Sequence, residues 1–468
     1  MKTTCVNEII KATNGQIINN VAIDNIAIDN VSTDSRTVKK GDAFFALIGD
    51  NHDAHDHIAE VCEKGCDVLI VSNADTVPKD FEGAAILVKD TLTAFQDFAA
   101  YYRNLIDPVV VAITGSVGKT TLKDMLSQIS KEKYNTVYTD KNYNNHIGVP
   151  KTIFEMSENT ELLILEMGMS AAGEIERLAC IARPDIGLIS NIGISHRENF
   201  DTDDGILNAK MEIASYFGPE NTLVINGDFP ELVKSAEKDS EAKGYKVICV
   251  ISEDDDKTYG DYVVKSVKYN DEGKITFEIE RSYDTERFVL PTPGMYSGVS
   301  AGLAVAASSN LGIAMSEASS ALKNLKVTPH RLQPIRQGGI LVIDDTYNAS
   351  PDSTKSGLDY LVAAPGKRKI AVLADMNELG ENFREMHMEI GKYATGLGVD
   401  VLATYGNKAE NIAIGANNCK KENMEVCVFD DKAKLNDFLK KMLKEGDVFY
   451  VKGSRTMKME EVVSNLLA

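Results

Sequence analysis

Seven consecutive residues, Gly115-Ser116-Val117-Gly118-Lys119-Thr120-Thr121, combine two glycines, a lysine and two threonine hydroxyls after the apolar run Val109 to Ile113 and Thr114. A strand that passes through such a loop into a helix makes a phosphate cradle. Glycines let backbone N–H groups approach phosphate oxygens, and the helix N-terminus adds its positive end. Lys119 then neutralises β/γ oxygens, and the Thr120 hydroxyl suits Mg²⁺. Ile113 stands where the usual G-x-x-x-x-G-K-[ST] loop has its first glycine, so the loop is a variant, T-G-S-x-G-K-T. A plain glycine turn is the competing reading; the strand–loop–helix context favours an ATP site.

Two further positions could join that chemistry. Glu166 ends the apolar run Leu162 to Leu165, and a carboxylate at the mouth of a buried strand suits Mg²⁺ alongside Thr120. From the residues alone, a strand-end glutamate in solvent fits equally well. His196 sits in a glycine-containing loop after the run Ile186 to Ser190, a better place for a ligand than a lone histidine in a core. Lys210 reads as a helix-surface lysine. His52, His55 and His57 have the composition of a metal cluster, but the last two do not share a helix face and no distant partner is evident. A loop and helix start is the better account. Glu253 to Asp256 reads as a solvated turn.

The elements that must position these residues fall into three regions. A chain of 468 residues exceeds what one core usually supports. Residues 1–107 alternate short strands (42–48, 66–71) with helices (54–64, 91–105), and Asp107-Pro108 breaks the last helix. Residues 108–327 follow an α/β pattern whose short apolar runs suit parallel strands buried on both faces. Within them, residues 246–290 alternate in polarity across Asn270 to Gly273, which predicts a hairpin within a small antiparallel insert. Residues 328–468 return to strand–helix alternation, with strands at 340–343, 370–374, 401–405, 426–429 and 448–451, as in a doubly wound parallel sheet. No G-x-G-x-x-G occurs there, which argues against a nicotinamide cofactor.

A net charge of −20 argues against nucleic acid and anionic membrane surfaces as partners, and no apolar run reaches membrane-spanning length. Seven cysteines lack framework spacing, and Cys62 and Cys66 are expected on one helix face. A soluble, cytoplasmic protein with reduced thiols is expected.

These motifs resemble the Mur ligases, ATP-dependent amide-forming enzymes of peptidoglycan synthesis. The loop 114–120 has that family's form. Leu165-Glu166-Met167-Gly168 with Gly173-Glu174-Ile175 is similar to a second signature, Asn191-Ile192-Gly193 through His196 to a third, and Ala209-Lys210-Met211-Glu212 to the stretch whose lysine is carbamylated in family members. Asn144 to Pro150, Asp344 to Pro351, Ala374 to Gly380 and Val451 to Arg455 resemble the branch that adds D-alanyl-D-alanine. Asp34-Ser35-Arg36, Phe44 to Gly49 and Asp53 to His55 look like a uridine-diphosphate site.

The resemblance implies three domains: a small α/β UDP-sugar-binding domain (1–107), a central P-loop ATPase-like parallel-sheet domain with the insert (108–327), and a Rossmann-like C-terminal domain for the amine substrate (328–468). It implies ATP and Mg²⁺, with UDP-MurNAc-tripeptide and D-Ala-D-Ala as substrates of a monomer. Lys119, Lys210, His196 and Asn145 would be catalytic. Thr120, Glu166, His196 and carbamylated Lys210 would hold Mg²⁺. Gly115, Ser116, Gly118, Lys119, Thr120 and Thr121 would bind the nucleotide, joined by Arg331, Asp345 and Asn348 after domain closure. Ser35, Arg36, Asp53, Asn144, Asn145, Ser454 and Arg455 would face the other substrates.

One stretch departs from the family. Where members carry Gly-x-His-Asn-x-x-Asn to hold adenine, this chain has Gly294-Met295-Tyr296-Ser297-Gly298-Val299-Ser300. His146 also stands where relatives often have an acidic residue. Two other readings compete: a sister ligase with a different acceptor or amine, and a non-catalytic UDP-sugar-binding relative. The 34–36 and 344–351 segments argue against the first, and Lys119, Glu166, His196 and Lys210 against the second.

Overall fold

The computed structural model describes residues 1–23, 26–193, 200, 203–253, 260–270, 274–291, 294, 297–420 and 424–468. His196, Met295, Tyr296 and most of the 253–256 turn lie outside them. Among the described residues, three sheets carry the architecture. The first holds β1 (Gln16–Ile17), β2 (Asn30–Ser32), β3 (Asp42–Phe45), β4 (Val68–Val71) and β5 (Ala84–Leu87), in the order β1-β5-β4-β3-β2. Helix α1 (Thr91–Ile106) starts where the Asp90 carboxylate caps the N–H of Thr93, and it ends at Asp107 in the left-handed region. Its Phe95, Phe98 and Tyr102 interlock with Phe154, and the Tyr102 hydroxyl donates to Met156 O at 2.7 Å. One continuous apolar core therefore joins this region to the next.

The second sheet contains β6 (Val109–Thr114), β7 (Thr136–Tyr138), β8 (Leu162–Glu166), β9 (Ile186–Ile189), β10 (Thr222–Asn226), β11 (Lys246–Ser252), β12 (Tyr262–Tyr269), β13 (Ile275–Arg281) and β14 (Asp284–Leu290). Their order is β14-β13-β12-β11-β10-β9-β6-β8-β7. From β6 the chain runs to one side through β7 and β8, then crosses to β9 on the other. That reversal opens a crevice at the carboxyl end of β6, where α/β sheets bind ligands. The hairpin expected across 270–273 forms, with β12 and β13 antiparallel, but the segment 246–290 is not antiparallel throughout. β11 and β12 are both parallel to their predecessors, and only β13 and β14 turn antiparallel, so the hairpin extends the main sheet. The apolar residues of β11, β12 and β13 are buried under helix α6 (Ser297–Asn310), which keeps them in the same layer as the central strands.

The third sheet, β15 (Gln333–Gln337), β16 (Ile340–Asp345), β17 (Arg368–Ala374), β18 (Val401–Tyr405), β19 (Glu425–Phe429) and β20 (Asp447–Lys452), has the order β15-β16-β20-β17-β18-β19. All its pairs are parallel except β15 with β16, and apolar clusters cover both faces. Cys66 lies beyond the helix that carries Cys62, which ends at Glu63, so the two thiols do not share a helical face. Among the described residues no helix is long and apolar enough to cross a membrane.

Candidate active site

The loop after β6 can form only with glycine at its start. Gly115 has φ +146°, and a Cβ there would lie 1.9 Å from the Ser190 hydroxyl oxygen. That hydroxyl donates to Val117 O at 2.7 Å. The Asn191 side-chain oxygen accepts from the N–H groups of Ser116 and Val117, both at 2.9 Å. The Ser116 hydroxyl accepts from Gly193 N–H at 2.8 Å. The loop is thus shaped in advance by the residues that follow β9, the parallel neighbour of β6. Gly118, with φ +83°, turns the chain into helix α2 (Lys119–Ser130). Lys119 Nζ folds back onto the carbonyl oxygen of Gly115 at 2.7 Å.

Register brings Glu166 to the same place. β8 pairs with β6 so that Glu166 stands opposite Ile113. Its buried carboxylate accepts from the Thr120 hydroxyl at 2.9 Å and from the Asn144 amide at 2.8 Å. Two hard oxygen donors beside a phosphate loop fit Mg²⁺. Asn145 uses its side-chain oxygen on the N–H groups of Ile147 and Gly148, fixing the start of helix α3 (Gly148–Phe154).

Lys210, near the end of helix α5 (Asp203–Met211), is not a surface lysine. It is 2 % exposed and lines the cleft, and its Nζ has no hydrogen-bond partner among the described residues. Burial, with Lys119 adding to it, holds its amine well below the ordinary lysine range. Burial also lowers Lys119; Arg331 adds to the shift and Glu166 opposes it.

The opposite wall comes from the third sheet. A cleft of about 610 Å³ is lined by the phosphate loop, Asn144, Asn145, Glu166 and Lys210 on one side, and by Arg331, Asp345, Tyr347, Asn348 and Lys452 on the other. That volume suits a small-molecule site. The Arg331 guanidinium lies 4.2 Å from the centre of the Tyr347 ring. Asp345, which ends β16, accepts from Lys452 Nζ at 2.5 Å, the Tyr450 hydroxyl at 3.0 Å and Leu332 N–H at 3.2 Å. A hydrogen bond joins the two walls, and they approach each other closely at a glycine. The Thr328 hydroxyl donates to Asp124 on α2, and a Cβ at Gly193 would lie 2.7 Å from Asp352 Oδ2, at the start of helix α7 (Pro351–Ala363).

Ser35, Arg36, Asp53, Ser454 and Arg455, singled out from the sequence as substrate residues, do not line this cleft. Ser35 lies beside the exposed Asp34–Arg36 pair, in which the guanidinium donates to both carboxylate oxygens at 2.9 and 2.7 Å. Asp53 receives His55 N–H at 2.9 Å and lies 2.6 Å from His55 Nδ1. The far nitrogen of that buried ring accepts from Ser72 N–H at 3.0 Å. His55 is a strut, and among the described residues no three or more histidine, cysteine, aspartate or glutamate side chains are grouped so as to hold a metal ion. Ser454 accepts from Asn377 N–H at 2.8 Å, and Arg455 pairs with Glu460 at 3.2 Å. In the divergent stretch, Ser297 lines the cleft and Ser300 Oγ lies 3.7 Å from where Gly118 would carry a Cβ. Lys452 is one of the cleft residues that sequence reasoning missed. The signal that marked Glu166, a charged residue ending a buried apolar strand, marks it too.

The Mur ligase middle domain matches residues 113–308, and the Mur ligase glutamate ligase domain matches residues 330–455. A UDP-N-acetylmuramoyl-tripeptide–D-alanyl-D-alanine ligase from Bacillus subtilis is 35% identical over 437 residues, covering 93% of this chain and 92% of that protein. A crystal structure of MurF from Acinetobacter baumannii superposes with a TM-score of 0.90 at 29% identity, covering 100% of this chain and 99% of that one. The MurF ligase of Thermotoga maritima in complex with ADP gives 0.83 at 29% identity, covering 95% and 98%.

Proposed function

The chain belongs to the Mur ligase family and is an ATP-dependent amide-forming ligase; we propose that it joins D-alanyl-D-alanine to UDP-N-acetylmuramoyl-tripeptide during cytoplasmic peptidoglycan precursor synthesis. The observation that carries this reading is the cleft itself. A phosphate loop, a buried Glu166–Thr120 pair and a buried Lys210 face Arg331, Tyr347 and Asn348 of the third region.

In this reading a carboxylate oxygen of the tripeptide attacks the γ-phosphorus and ADP departs, leaving an acyl phosphate. The dipeptide amine then attacks the acyl carbon and phosphate leaves. Lys119 and Arg331 spread charge over the transferring phosphoryl group from opposite walls. The two-walled cleft limits the water that would hydrolyse the acyl phosphate. Thr120 and Glu166 would hold one Mg²⁺, and His196 with Lys210 a second; the ions supply charge neutralisation during phosphoryl transfer. Lys210 suits a carbamate because its depressed pKa provides the neutral amine that takes up CO₂, and the product turns a buried cation into an oxygen ligand. Asn144 and Asn145 would face the acceptor carboxylate. Ser35, Arg36 and Asp53 of the first domain would hold the UDP-sugar, and Ser454 and Arg455 of the third the amine. A monomer supplies all of these groups.

The test is phosphate release by the purified protein with ATP, Mg²⁺ and UDP-MurNAc-tripeptide, with and without D-Ala-D-Ala. Release that needs every component, with a product of matching mass, is expected. UDP-sugar binding without turnover would overturn the assignment.

A further inference from the structure

Lys452 is a buried cation that the mechanism above does not use. Its side chain is 3 % exposed, and it ends β20 directly beside the end of β16, so that strand register itself sets it against Asp345. Asp345 is nearly as buried and carries three donors: Lys452 Nζ, the Tyr450 hydroxyl and Leu332 N–H. Burial pushes Asp345 up and Lys452 down, while the convergence of three donors on one carboxylate favours its ionised form. Leu332 directly follows Arg331 in the segment that links the second sheet to the third. The bond from Leu332 N–H to Asp345 therefore fixes the backbone from which the Arg331 guanidinium reaches the cleft. Arg331 is close enough to depress both Lys119 and Lys452, so the three cations share one field around the cleft.

We propose that Lys452 is a positioning residue: acting through Asp345, it holds the linking segment so that Arg331 faces the phosphate loop. This rests on the assigned reaction in that the cleft takes ATP. Without Lys452, Asp345 is a buried carboxylate that has lost its counter-ion, beside a site for a polyanion. It then takes a proton or draws the segment out of place.

The test measures the affinity of the full-length protein for a non-hydrolysable ATP analogue in Lys452→Met, Arg331→Ala and the double variant. UDP-MurNAc-tripeptide affinity and thermal unfolding are followed in parallel. Lys452→Met is expected to weaken the analogue about tenfold or more while leaving the UDP-sugar unchanged, and to weaken it by less than about threefold further once residue 331 is already alanine. A Lys452→Met loss as large in the Arg331→Ala background as in the parent would overturn the proposal, because Lys452 would then be contacting the phosphates itself. Unchanged affinity in Lys452→Met would overturn it as well. If Lys452→Met does not fold, Tyr450→Phe removes one donor without unpairing the charge. It is expected to weaken the analogue about threefold, and no change there would likewise overturn the proposal. Failure of the parent to bind the UDP-sugar would count against the assigned substrate and leave the nucleotide series decisive.

Discussion

Glu166→Gln separates charge from shape at the centre of the cleft. The parent carboxylate is 2 % exposed and accepts one bond from Thr120 and one from Asn144. Glutamine has the same outline. Its oxygen can keep the Asn144 bond, and its amide can donate to the Thr120 oxygen, since a hydroxyl accepts as well as donates. Two charge-assisted bonds become neutral ones, a loss of about 1 kcal/mol each. Removal of a buried carboxylate recovers a desolvation cost of at least similar size. Folding stability is therefore expected to change by no more than ~1 kcal/mol. Turnover loses a fixed negative charge where Mg²⁺ and phosphate meet, and one such electrostatic contribution is worth about 10²–10³ in kcat, or ~2.7–4 kcal/mol. Glu166 also raises the Lys119 pKa against burial, so its neutralisation moves the alkaline limb of the pH–rate profile to lower pH. The assay pairs phosphate release over a Mg²⁺ titration with denaturant unfolding. Activity within threefold of the parent at unchanged Mg²⁺ dependence would refute the metal-site reasoning (threefold is roughly 0.65 kcal/mol). A large loss of stability would show that the carboxylate is mainly a structural strut.

Three further outcomes follow from particular contacts. Lys210→Ala should lose most activity and regain part of it with short carboxylates; full activity in the alanine variant would remove the carbamate role. Gly115→Ala should abolish nucleotide binding in titration calorimetry, because its Cβ would overlap the Ser190 hydroxyl and its φ is unfavourable for a side chain. His387 is buried between Phe383 O and Met376 N–H, and burial lowers its pKa from 6.5. The unfolded chain therefore binds more protons as pH falls below about 6.5, and the stability present above that value is lost on the way down to the depressed folded pKa. Urea unfolding between pH 7 and pH 5 should show this slope, and His387→Gln should flatten it.

Strand and helix positions in the third region were legible because their buried parallel strands are short apolar runs between amphipathic helices. The phosphate loop was legible because glycine, lysine and threonine must be consecutive to act on one phosphate chain. The 246–290 segment misled because alternation of polarity marks a half-covered strand, whichever sheet it joins. Its attachment to the main sheet depends on edge pairing with β10 and cover from α6, which are long-range contacts. Lys210 misled for a related reason. A helix position does not reveal which face is covered, and here the covered face is the one that lines the cleft.

The sequence by itself determined the chemistry that local geometry can hold: the glycine cradle, the residues at strand ends, and the order of motifs from Gly115 to Arg455. The tertiary structure alone decided which of those residues meet. Parallel register sets Glu166 opposite the phosphate-loop strand and Lys452 against Asp345, and closure of the third sheet brings Arg331 across from Lys119. Burial then assigns the charge states, because a lysine or carboxylate takes its pKa from the dielectric and partners around it, and those are supplied by elements far away in the chain.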